Sequence, residues 1–405
     1  MLAPRRGRVA ATLCDMQRIR GGLRRLLVPV LALVTAFILG AILIVLTDVD
    51  HLQGIGTDPL GAIGGGFGVV VDGYRALVSG AIGDPGRVVA AFQSGNVKDI
   101  EAAIRPASEA LVSATPFIFV ALGLAVSFRA GLINLGADGQ FLIGGVGAGM
   151  TAVLVAGRLP PGLALVVAVL GGIVAGGAYG FVAGFLKART GAHEVITTLM
   201  LNGIAPGLAF VMFTSIDLSF AGPPTALPVV PQLIDLPTIR VDYGFVVALV
   251  TAAAMSVLLF RTTRGFELRA TGFSRTAARG AGMRPGRATM LAMALSGGLV
   301  GMGSALFGLG PAGGFGTPPT FDMGFISLAL ALIAGSRPGG VVLAALFYGA
   351  LTNGAKSMVI ATGIPLTLLT VIVGFAMLFV AAPGLIRSIW RLKAPESTAP
   401  APVPP

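Results

Sequence analysis

Long apolar runs, broken by short charged or proline-rich stretches, dominate this 405-residue chain. A helix needs about 20 apolar residues to cross the hydrocarbon of a bilayer. Runs of that order fall at 28–47, 110–127, 138–157, 162–186, 195–213, 243–260, 288–309, 322–335, 339–355 and 358–381. The pattern predicts an all-α polytopic membrane protein with about ten transmembrane helices. The runs 322–335 and 339–355 are short, so some helices are expected to be short, broken or re-entrant. Such breaks are allowed where protein or a cavity covers the open backbone.

The charges then orient the spans. The leader 1–27 has seven Arg and one Asp, and the loop 261–287 has seven Arg and one Glu. Beyond the last run stand Arg387, Arg391 and Lys393 against Glu396. Lys and Arg mark cytoplasmic segments. The stretch 48–109 has eight acidic residues against four basic, and 214–242 has three Asp against Arg240. These two read as outside loops. Ten spans with both termini cytoplasmic fit every assignment. The expected organisation is a basic leader 1–27, a permeation domain 28–385 and a cytoplasmic, disordered tail 386–405. The outside stretch 48–109 carries a moderately amphipathic piece, Val69 to Ala81, expected as a surface helix. The Pro-rich loop 214–242 can carry no long helix.

Composition excludes most other classes. Hydrophobic residues make up 55% of the chain and charged residues 11%, where soluble domains carry about 25% charged residues. Mean hydropathy is +0.90. The net charge of +11 therefore reads as membrane anchoring and not as a nucleic-acid surface. One cysteine, Cys14, permits no internal disulfide. Two histidines, His51 and His193, stand far apart, which weighs against a zinc site. No Walker loop is present, so any ATP hydrolysis by that route belongs to another chain.

Polar residues near or inside the spans are few: Asn134, Asp138 and Gln140, then Asn202, Asn353 and Lys356. A buried amide needs a partner or a wet path. Asn134, Gln140, Asn202 and Asn353 are candidates for lining a substrate path, with interhelical hydrogen bonding as the alternative. Arg129 and Asp138 are candidates for a structural ion pair. The glycines of the third and fourth spans imply close helix packing. In the loop 261–287, Ser274 is a candidate N-cap for a short helix over Arg275 to Ala281, stopped by Gly282 and Pro285. A short capped helix between two spans suits docking on another protein; the alternative is an ordinary basic inner loop.

Four segments together carry a family likeness: 128–144 (FRAGLINLGADGQFLIG), 193–202 (HEVITTLMLN), 265–282 (GFELRATGFSRTAARGAG) and 325–335 (FISLALALIAG). With them the chain resembles the inner-membrane permease subunits of ABC importers in the ribose / branched-chain amino acid group. The nucleoside and simple-sugar branch is the nearest, over roughly residues 105–385. The resemblance implies a non-catalytic subunit that binds no cofactor. It also implies a partner ATP-binding subunit that uses ATP and Mg, a second homologous permease chain and an extracytoplasmic substrate-binding lipoprotein. The segment 272–282 matches the family's coupling segment, with Gly272, Ala277, Ala278 and Gly282 on its pattern and Ser274 where Asn is frequent. Gly203 stands where a bulkier residue is usual. A nucleoside is the substrate first implied, and a simple sugar the next. The residues alone leave open an ion-coupled secondary transporter of small polar solutes, and a channel or scaffold. Against the carrier, no acidic residue lies deep in any run.

Overall fold

A computed structural model describes residues 27, 30–47, 59–215, 228–233, 239–310 and 322–392. The leader to residue 26, with Cys14, lies outside them, as do His51, Pro223, Pro224, Pro237 and the tail from 393. Among the described residues the chain is all helical, with no sheet; a lone antiparallel bridge joins Gln232 and Asp242. Among the described residues, seven helices are long and apolar enough to cross a membrane, or eight if a pair bent by 92°, Thr370–Val380 and Pro383–Ile389, forms one broken span.

The chain divides into two units. The smaller comprises 1–72 and 362–405. It holds α1 (Val30–Thr47) and the start of α2 (Pro59–Ile82). Its later helices are α14 (Leu366–Ala381) and α15 (Pro383–Ile389). The indole Nε1 of Trp390, just past α15, donates to Thr35 Oγ1 of α1 at 2.9 Å.

The larger unit, 73–361, contains α3 (Pro85–Ser94), α4 (Val97–Arg129), α5 (Ala137–Val155), α6 (Pro161–Thr190) and α7 (Glu194–Ser215). After these come α8 (Tyr243–Arg261), α9 (Thr263–Phe273), α10 (Arg275–Gly280), α11 (Pro285–Gly308), α12 (Met323–Ile333) and α13 (Pro338–Thr362). Short polar residues start several helices by accepting from first-turn amides: Asp84 from Gly86, Asn96 from Lys98, Asp242 from Gly244 and Thr262 from Gly265.

The centre of this unit is α4, α5 and α11. From Pro116 to Ser127 every residue of α4 is buried. A helix apolar on all sides belongs inside a bundle. By contrast, α6, α7 and α8 expose Val166, Val174, Met200, Phe210 and Val250, side chains suited to lipid contact. Between α6 and α11 the packing is backbone on backbone. A Cβ on Gly176 would meet the Gly297 carbonyl oxygen at 2.5 Å, and one on Gly172 would meet that of Gly301 at 3.0 Å. Lipid tails are as apolar as the helices, so close van der Waals contact of this kind holds membrane helices together.

Several boundaries differ from the sequence reading. The second expected span, 110–127, is the inner part of α4, which starts at Val97 because Asn96 caps it. The expected outside stretch 48–109 thus contains α2, α3 and the beginning of α4. The runs 339–355 and 358–381 do not divide at Lys356. Helix α13 continues to Thr362, and the break falls at Gly363, with φ +69°, ahead of Pro365. Helix α12 has 11 residues, about 16 Å of rise, half the hydrocarbon thickness.

Candidate functional site

Between α4 and α5 the chain leaves the helix for residues 130–136 inside the bundle. Open backbone there must find partners, and buried amide side chains supply them. Asn134 and Gln140 are both almost fully buried. They form a reciprocal pair, Asn134 Nδ2 donating to Gln140 Oε1 at 3.0 Å and Gln140 Nε2 to Asn134 Oδ1 at 3.2 Å. Asn134 Nδ2 also donates to Ser296 Oγ of α11 at 2.9 Å, and its Oδ1 accepts from the Gly136 amide. From α7, one turn apart, Thr198 Oγ1 accepts from the Leu135 amide at 3.2 Å, and Asn202 spans the break. Asn202 Oδ1 accepts from the Gly139 amide at 2.9 Å and its Nδ2 donates to the Leu135 carbonyl at 2.7 Å. Asn134, Gln140 and Asn202 are thus brought into one cluster. Asn353 lies apart, its Nδ2 donating to the carbonyls of Gly80 in α2 and Pro106 in α4 at 2.8 and 3.1 Å.

Arg129 and Asp138, expected as an ion pair, do not pair with each other. They hold opposite ends of α12. Asp138 Oδ1 accepts from the Gly324 amide at 2.7 Å, at the helix start. Arg129 donates from Nε to the Ser336 carbonyl at 3.0 Å and from Nη2 to the Gly335 carbonyl at 2.8 Å, just past its end. The macrodipole explains the choice: a helix N-terminus favours an anion and a C-terminus a cation. Sequence proximity pointed to a pair, while the unmet helix ends offered each group a better partner.

Beside this break stand α9 and α10. Ser274 ends α9 and caps α10, its Oγ accepting from the Ala277 amide at 3.2 Å. Ala278 is buried, and Ala277 faces out. The helix stops at Gly282, with φ +80°, where the Met283 amide donates back to the Ala278 carbonyl; only glycine takes that conformation freely. Arg275 Nη2 donates to Thr289 Oγ1 of α11 at 2.6 Å. Gly272 lies against the end of α4: a Cβ there would stand 2.5 Å from the Arg129 carbonyl oxygen and 2.8 Å from the Gly131 amide nitrogen. The guanidinium carbons of Arg129 and Arg269 lie 5.4 and 5.3 Å from the Phe260 ring centroid, joining α4, α8 and α9 at one aromatic.

One residue escaped sequence reasoning. Phe273, between Gly272 and Ser274, is 91% exposed. An aromatic inside a polar, basic loop is the signal the sequence carries, and the structure leaves its ring in the open.

At the other end of the bundle, Arg240 forms a two-pronged ion pair with Glu109 of α4, at 2.9 and 2.6 Å. The hydrogen bonds to Glu109 push the Arg240 guanidinium further up. Asp242, immediately before α8, has its carboxyl pushed up to about 6 by burial, against hydrogen bonds from the Gly244 and Phe245 amides.

Comparison with known proteins places this geometry. Residues 107–382 match the family described as branched-chain amino acid transport system / permease component. The chain is 31% identical to the guanosine ABC transporter permease protein NupP of Bacillus subtilis (strain 168), over 91% of this chain and 96% of the relative. It is 29% identical to the nucleoside ABC transporter permease protein NupB of Lactococcus lactis subsp. cremoris (strain MG1363), over 93% and 97% of the two chains. It is 30% identical to the glucose ABC transporter permease protein TsgB13 of Haloferax volcanii, over 67% and 75%. The family match takes in the bundle centre, the clustered amides and both short helices of the 263–280 element, and the chain belongs to this family of ABC-importer permease subunits.

Proposed function

We propose that this chain walls the path by which a nucleoside enters a prokaryotic cell, as one of two different permease subunits of an ATP-driven importer. A simple sugar is the second choice of substrate. The substrate class rests on likeness along almost the whole chain to a guanosine and a nucleoside permease, with a glucose permease matching less of it. In this reading the partner ATPase binds and hydrolyses ATP with Mg, and an extracytoplasmic lipoprotein delivers substrate. Both termini and the 261–287 segment face the cytoplasm, and the 48–109 and 214–242 stretches face outward. Some ten passages through or into the bilayer follow if α12, α13 and α14 each enter it.

The observation that carries the mechanism is the seating of Gly272 on the end of α4. Helix α10, with Ala277 outward and Phe273 at its base, is the surface for the ATPase, and Ser274, Ala278 and Gly282 fix its shape. A push on α10 passes through Gly272 to Gly131, and from there into the 130–136 break. Around that break Asn134, Gln140 of α5 and Asn202 of α7 act as braces of the path wall, because protein partners occupy their amides. Asn353 does the same where α2, α4 and α13 meet.

The test is the tagged chain extracted gently from its own membrane. A stoichiometric ATPase subunit whose hydrolysis rises with nucleoside-loaded binding protein is the expected result. A chain that comes out alone in several detergents and takes up solute on an ion gradient overturns the reading in favour of a secondary carrier.

A further inference from the structure

At the end of the bundle that carries α10, a cavity of about 400 Å³ opens between the last turn of α6 and the first turn of α11. Four arginines line it: Arg189 from α6, Arg279 from α10, and Arg284 and Arg287 at the start of α11. All four are exposed. Among the described residues none of them reaches a carboxylate; the ion pairs nearby are Lys187 with Glu194 and Arg264 with Glu267. The first turn of α11 begins at Pro285 and has no side-chain cap, so its free amides and the helix dipole add to the positive field. Guanidinium groups bind phosphate oxygens in two-pronged fashion.

An apolar strip leads into the same cavity. The Arg189 guanidinium lies 5.8 Å from the Phe185 ring centroid, and Phe185 lies 6.0 Å from Phe181. Phe181, Val182 and Phe185 are all exposed, and Met283 and Met290 complete the wall of the cavity. Residues 181, 185 and 189 are spaced four apart and so share one face of α6. A free phosphate would use the arginines and leave the strip bare. An acidic protein surface would have no use for aromatic rings running up a membrane helix.

We propose that this cavity is a binding site for an anionic phospholipid, with the headgroup phosphate among Arg189, Arg279, Arg284 and Arg287 and an acyl chain along Phe185 and Phe181. The inference rests on the permease reading only in placing this end of the bundle at the cytoplasmic leaflet. There, basic pockets between helices hold anionic headgroups.

The experiment uses the intact importer in nanodiscs of phosphatidylcholine with phosphatidylglycerol added in steps. Retained lipid is counted by native mass spectrometry, and ATPase co-purification is followed in parallel. R284Q/R287Q is expected to weaken phosphatidylglycerol retention about 30-fold, and the single R189Q about 5-fold. The control R261Q/R264Q removes the same charge from the same end and is expected to retain lipid as the wild type does. Equal loss in the control overturns the site in favour of general surface charge. Unchanged retention with loss of the ATPase overturns it in favour of a protein contact. Displacement of phosphatidylglycerol by inorganic phosphate at equal concentration overturns it in favour of a free anion. The permease reading fails separately, if the wild-type preparation contains no ATPase.

Discussion

Gly131 and Gly272 meet without side chains between them. A Cβ on Gly131 would stand 2.8 Å from the Gly272 Cα and 2.9 Å from its carbonyl oxygen, and Gly131 has a φ of +70°. Both positions therefore exclude larger residues, one by space and conformation and the other by space. The contact joins the last turn of α9 to the backbone break between α4 and α5, so the two move together or separate as units.

The clamp on α12 yields a test that distinguishes it from an ion pair. Because Arg129 and Asp138 touch opposite ends of α12 and not each other, their effects should add. We expect R129Q and D138N each to cost about 1.5–3 kcal/mol, the range for hydrogen bonds to charged groups. Hydrogen exchange should speed up across 323–336, and the charge-swapped double variant should be worse than either single variant. Rescue by the swap would contradict the clamp.

The amide braces predict linked losses. Gln140→Leu removes one of the two partners of each polar atom of the buried Asn134 side chain, a cost of about 1–3 kcal/mol for the two hydrogen bonds lost. Folded yield and transport should fall together, as should those of Asn202→Leu. Quantitative blotting beside uptake measurements checks this; transport lost at wild-type yield would place these side chains on the substrate path itself.

The N-terminal end of α8 carries a pH dependence. Burial raises the Asp242 carboxyl to about 6 in the folded protein, from 3.8. The folded state then binds more protons than the unfolded state between these values. Its contribution to stability is present below about pH 4 and is lost as pH rises through about 6. D242N keeps a capping oxygen and should remove this part of the slope. Thermal unfolding in detergent across that window checks it, and an unchanged slope would contradict the assignment.

The interaction surface on α10 has its own prediction. Ala277 is exposed, so A277E should insert and fold normally while reducing ATPase co-purification about tenfold, a change of about 1.4 kcal/mol. F273A should act in the same direction. Normal co-purification by both variants would move the docking surface elsewhere.

How much of this was legible in the sequence follows from what each feature depends on. Span positions rest on runs of apolar residues, which the chain displays openly, and the cap at Ser274 rests on neighbours within one turn. Both are local. The polar Lys356 interrupts the apolar run without ending α13, and the left-handed Gly363 and Pro365 set the break. The partners of Arg129 lie some two hundred residues away, at Gly335 and Ser336, and no spacing rule reaches them. Asn134 and Gln140 were recognisable as buried amides needing partners, but Ser296 as one of those partners is a property of the packed bundle. Gly272 was marked by likeness to a motif, and its reason, the backbone of Gly131, appears only in three dimensions.

The central claim is that force on α10 reaches the bundle through Gly272. Its most direct measurement is substrate imported per ATP hydrolysed, in proteoliposomes holding the importer with wild-type Gly272 or Gly272→Val. A valine cannot fit against the Arg129 carbonyl without displacing α9. The account predicts an assembled complex that still hydrolyses ATP but imports about tenfold less substrate per ATP, the factor that 1.4 kcal/mol of lost coupling corresponds to. An unchanged ratio in a fully assembled complex would contradict it.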